Sequence, residues 1–153
     1  MYQYLKTGLV AGALGLAVLS TMAMAGPADD AIKGRQACMK AHGGTLAVAV
    51  PVIKGEKPFD AAALKAAYDK EDAACAGWDT FWTAETQKGE TVETRAKPEI
   101  WTDAATFQAA GAAWYEAAQK MRAATDDASL KAAFPALGAA CQNCHDKFRL
   151  PQG

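Results

Sequence analysis

The stretch LKAAFPALGAACQNCHDKF, residues 130–148, decides the fold of this chain. Its larger residues recur at steps of three and four, which is the spacing of one face of an α-helix. The residues on that face are Leu130, Phe134, Leu137, Cys141, Cys144 and Phe148. The pattern predicts an amphipathic helix from about Ala128 to Leu150, with Pro135 distorting its first turns.

The same spacing predicts three further helices upstream. They span roughly residues 29–53, 60–76 and 103–124, with polar residues 83–98 as a long loop. Asp60 and Asp103 are the expected N-caps, because an aspartate side chain accepts hydrogen bonds from the first free backbone N–H groups. Alanine, the strongest helix former, dominates these segments. The sequence therefore predicts an all-α, antiparallel four-helix bundle.

Residues 1–25 have the features of a secretory signal peptide. Lys6 precedes an apolar run, and Ala23-Met24-Ala25 is a small-x-small cleavage site. The apolar run is shorter than the ~20 residues that a membrane span requires. We expect cleavage after Ala25, export to the periplasm, and one soluble domain formed by residues 26–153.

The charge balance of that domain excludes some partners. Loss of Lys6 from 16 basic residues leaves 15 against 17 acidic ones, so the net charge is −2. This balance predicts neither a nucleic-acid-binding surface nor a basic membrane-binding patch.

The motif Cys141-Gln-Asn-Cys144-His145 carries the predicted chemistry. It is the attachment pattern of c-type haem, in which two thiols form thioethers with the vinyl groups and the histidine binds iron. Positions i, i+3 and i+4 share one helix face, so all three side chains can meet one porphyrin. Export favours this interpretation, because such haem is attached outside the bacterial cytoplasm.

Three other interpretations of the motif are open. A dithiol redox pair would require a βαβ context, which the helical pattern lacks. A zinc site would need Cys141 and Cys144 together with two side chains from elsewhere. The candidates for those two ligands are Cys38, Cys75, His42 and His145. A structural disulfide within the motif is the third alternative.

Over nearly all of the exported domain the chain resembles the cytochromes c prime. The resemblance rests on four ordered blocks: KGRQ (33–36), KGEKPFD (54–60), AKPEIW (96–101) and CQNCHDKFR (141–149). It departs from the family at Cys38, Cys75, Trp82 and Pro135, where the last replaces a common glycine. The resemblance implies a haem-binding four-helix bundle with one covalent haem c.

The resemblance also assigns roles to individual side chains. It places Arg35 beside the haem edge, where a guanidinium matches a propionate, and Arg149 near His145. The competing interpretations are a solvent-directed head for Arg35 and a helix-dipole contact for Arg149. Met39 is placed opposite His145, either as an apolar guard of open iron or as a thioether ligand. His42 is placed off the iron axis.

The aromatic residues and the two remaining cysteines are further candidates. Trp78 and Phe81 match positions that line the haem pocket, while Trp101 and Phe59 match positions that pack near the bundle ends; all four serve equally well as core. Cys38 and Cys75 lie on neighbouring predicted helices, so a disulfide between them is expected in an oxidising compartment. Free buried thiols and a disulfide between subunits are the alternatives.

The function implied by the resemblance is binding of nitric oxide or carbon monoxide at five-coordinate iron, with one-electron cycling and a redox partner protein. The alternative is a low-spin electron carrier with Met39 as sixth ligand. An enzyme is a weaker hypothesis, because no further acid–base group is predicted in the pocket. Many family members dimerise through the first two helices, so a homodimer is a further expectation.

Overall fold

A computed structural model describes residues 26–151, and the predicted signal peptide lies outside the described residues. All regular elements of this part are helical. The α-helices are α1 (Pro27–Ile53), α2 (Ala61–Cys75), α3 (Glu99–Thr102), α4 (Ala104–Arg122) and α5 (Asp127–Phe148). Two 3-10 helices, Trp78–Trp82 and Ala84–Thr86, follow α2. Within residues 26–151, every helix is too short or too polar to cross a membrane.

The four long helices form the bundle that the sequence predicts. α1 packs mainly against α2, α4 packs against α5, and α1 also contacts α5. The prediction of an all-α four-helix bundle is therefore confirmed. The third and fourth helices expected from the sequence correspond to α4 and α5.

Side-chain caps fix where the helices begin. The Asp60 carboxylate accepts a hydrogen bond of 2.9 Å from the Ala63 N–H at the start of α2. Asp103 caps α4 in the same way, which confirms both predicted N-caps. Asp126 caps α5 by accepting a 2.7 Å bond from the Ser129 N–H. Each cap satisfies backbone donors that a helix start leaves free.

Pro135 lies inside α5 and does not end the helix. The helix is continuous from Asp127 to Phe148 with the proline inside it. Proline removes the N–H that would bond the carbonyl of Lys131, four residues earlier. Both residues lie on the exposed face of the helix, so water can bond that carbonyl and the loss is small.

The polar segment between the two helix pairs is anchored to the start of α1. The Asp29 carboxylate is fully buried and accepts backbone hydrogen bonds from Glu90, Thr91 and Val92 at 2.8–3.2 Å. Hydrogen bonding from the Thr91 side chain lowers the pKa of Asp29. A short antiparallel bridge between Ala96 and Arg149 ties the far end of the segment to the end of α5. These contacts give the predicted loop a defined path.

The buried core consists of two clusters. The larger contains buried residues of α1, α2, α4 and α5, among them Ala49, Leu64, Met121, Leu130 and Leu137. The smaller contains Ile100, Ala110 and Phe148, with Trp82 and Phe107 packed against it. The boundary between the two clusters lies at the last turns of α5.

Candidate functional site: the haem-binding motif and its surroundings

The cysteine motif lies at the boundary between the two core clusters. Cys141 packs against the larger cluster and Cys144 against the smaller one. Both side chains and that of His145 are half-buried on the last turns of α5. Burial raises the pKa of both thiols. The three groups are therefore on one helix, at a spacing that allows them to meet one flat group placed between the clusters.

Arg35 supplies a buried cation on α1. Its side chain is 5% exposed, and its Nη2 donates to the carbonyl oxygen of Thr86. Burial lowers the pKa of this guanidinium to about 10, so it stays charged at neutral pH. Its Nε and Nη1 atoms are buried without a hydrogen-bond partner. Unpaired buried donors are costly, and a haem propionate is an acceptor that fits them.

An aromatic group lies beside this guanidinium. The Arg35 Cζ atom is 4.5 Å from the ring centroid of Trp82 and 5.6 Å from that of Trp101. Trp78 meets Trp82 edge-on at 5.0 Å and Phe81 edge-on at 6.5 Å. These rings form an apolar wall that can exclude water from a bound group.

Trp82 has a role that the sequence did not assign to it. Besides Arg35, its ring contacts Phe107 at 4.8 Å, and Phe107 in turn meets Phe148 at 5.2 Å. Trp82 thus connects the aromatic wall to the small core cluster of α5. In the sequence, Trp82 stands one residue after Phe81. A five-residue 3-10 helix is too short for a periodic pattern that would predict which way the Trp82 side chain faces.

The side chain of Met39 lies partly at the surface of α1. Its side chain is 41% exposed, whereas Arg35, one turn earlier, is buried. The buried side chains of α1 on either side of Met39 in the sequence are Cys38 and Thr45. The assignment of Met39 to the iron side of the haem stays a prediction.

His42 lies inside the bundle in a network of polar groups. Its Nδ1 is 3.2 Å from Glu71 Oε2, which also accepts a 2.7 Å bond from the Thr45 hydroxyl. Arg122 Nη2 donates to Glu71 Oε1 at 2.8 Å. Burial disfavours the charged form of Glu71, but its contacts with His42, Thr45 and Arg122 outweigh this effect and lower its pKa to about 2.

This network adjoins the haem-binding motif. A cavity of about 30 Å³ is lined by residues of four helices, including His42, Glu71, Trp114 and Cys141. The His42 and Trp114 rings are 4.7 Å apart. The network was not found from the sequence, because its members are on separate helices. The signal that could have found it is the spacing of four between Cys38 and His42 and between Glu71 and Cys75.

Cys38 and Cys75 form a disulfide that joins α1 to α2, with sulfurs 2.01 Å apart. Cys38 is buried and Cys75, the last residue of α2, is half-buried. The bond lies beside His42, whose Nε2 is 3.5 Å from the Cys38 sulfur. The two remaining cysteines of the chain, Cys141 and Cys144, are free thiols.

The other predicted residues lie at the periphery of the motif. Arg149 ends α5 in an extended conformation, and its N–H donates to the His145 carbonyl at 3.0 Å. Trp101 donates from its indole N–H to the carbonyl of Trp82 at 3.0 Å. Phe59 packs against the larger core cluster. The structure thus brings Arg35, Trp78 and Phe81 together and leaves Phe59 apart from them.

Comparison with known proteins places these features in one family. The sequence profile of the family described as Cytochrome C' matches residues 30–149. A cytochrome c' from Alcaligenes xylosoxydans xylosoxydans is 35% identical over 125 residues, which are 79% of this chain and 94% of that protein.

Solved structures agree with the sequence comparison. The crystal structure of cytochrome c' from Rubrivivax gelatinosus superposes with a TM-score of 0.70 at 32% identity, covering 80% of this chain and 97% of that one. The nitric oxide complex of a cytochrome c prime variant from Alcaligenes xylosoxidans superposes with a TM-score of 0.69 at 33% identity, covering 81% and 97%.

Proposed function

Because the chain belongs to the cytochrome c prime family, whose members carry covalently bound haem c, we propose that it binds a small uncharged gas at five-coordinate haem iron and carries one electron. The family consists of electron-transfer and gas-binding haem proteins rather than classical enzymes. Nitric oxide and carbon monoxide are the gases to which the proposal applies. A structure that is 33% identical to this chain contains bound nitric oxide, and this is the observation that carries the proposal.

The motif residues hold the cofactor in this proposal. Cys141 and Cys144 would hold it through two thioethers, and His145 would bind its iron. When bound, the haem supplies an iron that accepts the gas and changes its oxidation state by one electron. The half-burial of all three side chains between two core clusters supports this arrangement, because a flat apolar group would fill the boundary there.

Arg35 provides the polar edge of the site. Two buried N–H-bearing nitrogens without partners support a role for it in pairing with a propionate. Trp78 and Phe81 are proposed to be walls that keep water away from the iron. Arg149 follows His145 by one turn, and we assign it to the same polar edge.

Met39 is proposed to face the open side of the iron. An apolar group there crowds polar or bulky molecules and admits small uncharged ones. Because its side chain is 41% exposed and methionine is flexible, it can adjust its position toward or away from the pocket.

That same freedom favours a second candidate function. A thioether that reaches the iron can bind it, and ligation by Met39 would make the haem low-spin and raise its reduction potential. The protein would then be an electron carrier without gas binding.

The cellular setting is part of the proposal. The features of residues 1–25 support export to the periplasm, and the covalent haem requires it. A redox protein of that compartment is the proposed electron partner, and self-association through α1 and α2 is proposed as in other members of the family.

Optical spectra of the haem-loaded protein separate the two candidates. Open iron predicts a broad high-spin ferrous band that sharpens and shifts when carbon monoxide is added. A narrow ferrous spectrum that does not respond to carbon monoxide would establish the electron carrier instead. The experiment requires only protein matured with covalent haem and a mild reductant.

A further inference from the structure

A second set of metal-ligating side chains lies outside the haem-binding residues, where α1 packs against α2. Cys38, His42 and Cys75 converge there, with their ligand atoms within 4.8 Å of one another. The His42 Nε2 atom is 3.5 Å from the Cys38 sulfur and 3.9 Å from the Cys75 sulfur. The proposed haem function uses none of these three residues.

The imidazole lies at about the distance from the sulfurs that a tetrahedral zinc site requires, whereas the two bonded sulfurs must move apart to bind one ion. Zinc–sulfur bonds of about 2.3 Å and zinc–nitrogen bonds of about 2.0 Å place the nitrogen and sulfur ligands about 3.5 Å apart. The two sulfurs are bonded to each other in the disulfide. The site therefore becomes available only when that bond is reduced.

Glu71 lies close to the ring nitrogen of His42 that does not face the sulfurs. Its carboxylate lies against Nδ1, at 3.2 Å, while Nε2 faces the sulfurs. Histidine ligands of zinc typically pair their second ring nitrogen with a carboxylate, which fixes the tautomer. The carboxylate is itself held by Thr45 at 2.7 Å and Arg122 at 2.8 Å, so this support is built into the buried network.

We propose that reduced Cys38 and Cys75, together with His42, bind one Zn²⁺ ion, with Glu71 as a positioning residue. A dithiol reductant gives two electrons and two protons to the S–S bond, becomes a disulfide itself, and leaves two protein thiols. Zinc then replaces the two thiol protons, which go to solvent. Three protein ligands leave a fourth position for water.

Haem-loaded protein gives a clean test. The chain has four cysteines, and covalent haem converts Cys141 and Cys144 to thioethers, so Cys38 and Cys75 are the sole thiols after reduction. The protein is treated with dithiothreitol, freed of it without air, and dialysed against zinc sulfate. Thiol titre, bound zinc and the haem spectrum are measured. We expect one zinc per reduced chain and none per oxidised chain.

Variants that keep both thiols identify the ligand set. His42→Gln removes a ligand, and we expect at least a tenfold rise in the zinc Kd. Glu71→Gln removes the orienting carboxylate, and its expected effect is a 10- to 100-fold rise. Glu71→Asp should recover part of the affinity, which a merely structural role would not explain. Glu116→Gln, on an exposed carboxylate of α4, should leave the Kd unchanged.

Three results would overturn the proposal. The first is a disulfide that the dithiol cannot reduce while the haem spectrum stays native. The second is a reduced protein with two titratable thiols and native haem absorption that retains no zinc. The third is zinc binding with the same affinity in the wild type and in His42→Gln.

Discussion

The Phe81 ring lies directly over Gly34, so closely that it packs against the backbone of α1. A Cβ atom built at Gly34 would be 2.6 Å from Cζ of the ring and 2.7 Å from Cε1. Gly34 immediately precedes Arg35 on α1. Because glycine has no side chain at this position, the Phe81 ring can pack against α1 next to the buried guanidinium of Arg35.

Gly34→Ala should destabilise the protein by about 1–3 kcal/mol, because the new methyl group must push the Phe81 ring aside. The haem absorption should shift as well, since the ring is proposed to line the pocket. Urea unfolding followed by circular dichroism measures the free energy of unfolding.

Gly43→Ala is the matched control on the same helix. A Cβ at this exposed position meets nothing within 4 Å, and alanine stabilises a helix interior by about 0.5–1 kcal/mol relative to glycine. Equal effects of the two substitutions would show that the close approach at Gly34 does not exist.

Glu71 should contribute a pH-dependent part of the stability. Its pKa is about 2 in the folded protein against an ordinary value of 4.5. A lowered folded-state pKa gives stability that is full above the ordinary value and is lost as the pH falls toward 2. The contribution is up to about 3 kcal/mol.

The difference in unfolding free energy between the wild type and Glu71→Gln should therefore shrink between pH 6 and pH 2. Urea titrations at pH 6, 4 and 2.5 measure it, with Glu116→Gln as an exposed control. A difference that stays constant over this range would mean that the Glu71 carboxylate titrates normally.

The disulfide should stabilise the folded state because it lowers the conformational entropy of the unfolded chain. Cys38 and Cys75 are separated by 37 positions, and closing a loop of that length is worth about 3–4 kcal/mol. The double substitution Cys38→Ser with Cys75→Ser should lower the unfolding free energy by that amount at pH 7. Reduced wild type, unfolded in parallel, should match the variant; a loss below about 1 kcal/mol would contradict the prediction.

Met39→Leu separates the two proposed states of the iron. Leucine has a similar volume but no sulfur, so five-coordinate iron predicts the same broad ferrous band and the same response to carbon monoxide in both proteins. Met121→Leu, in the buried core, is the control for methionine loss elsewhere. A wild type with narrow low-spin bands that Met39→Leu abolishes would establish ligation by the thioether.

The sequence predicted the features that depend on short spacing. Cys141, Cys144 and His145 fall within five consecutive residues, and Asp60 and Asp103 cap helices within three residues. The position of Met39 opposite His145 stays a prediction, because steps of three and four allow two neighbouring helix faces and only packing chooses between them. The contact of Asp29 with residues 90–92, some 60 positions away, determines a loop path that no local pattern encodes.

The polar network could not be predicted without knowing how α1 and α2 are aligned with each other. His42 and Glu71 each have a plausible exposed position in their own helix, and only the pairing of the two helices brings them within 3.2 Å. The Cys38–Cys75 disulfide was expected without knowledge of that alignment, because these are the two cysteines that the haem motif leaves over. Contacts between side chains of different helices are thus the part of a bundle that is hardest to predict from one sequence.

The positions of the four cysteines also separate two kinds of sulfur chemistry in space. Both partners of the disulfide lie within the first helical hairpin, whereas both haem-binding thiols lie on the last helix. Because a sulfur held in a disulfide cannot form a thioether, the Cys38–Cys75 bond keeps both of these sulfurs from reacting with the haem vinyl groups. With that bond in place, Cys141 and Cys144 are the two thiols that remain for covalent attachment of the haem.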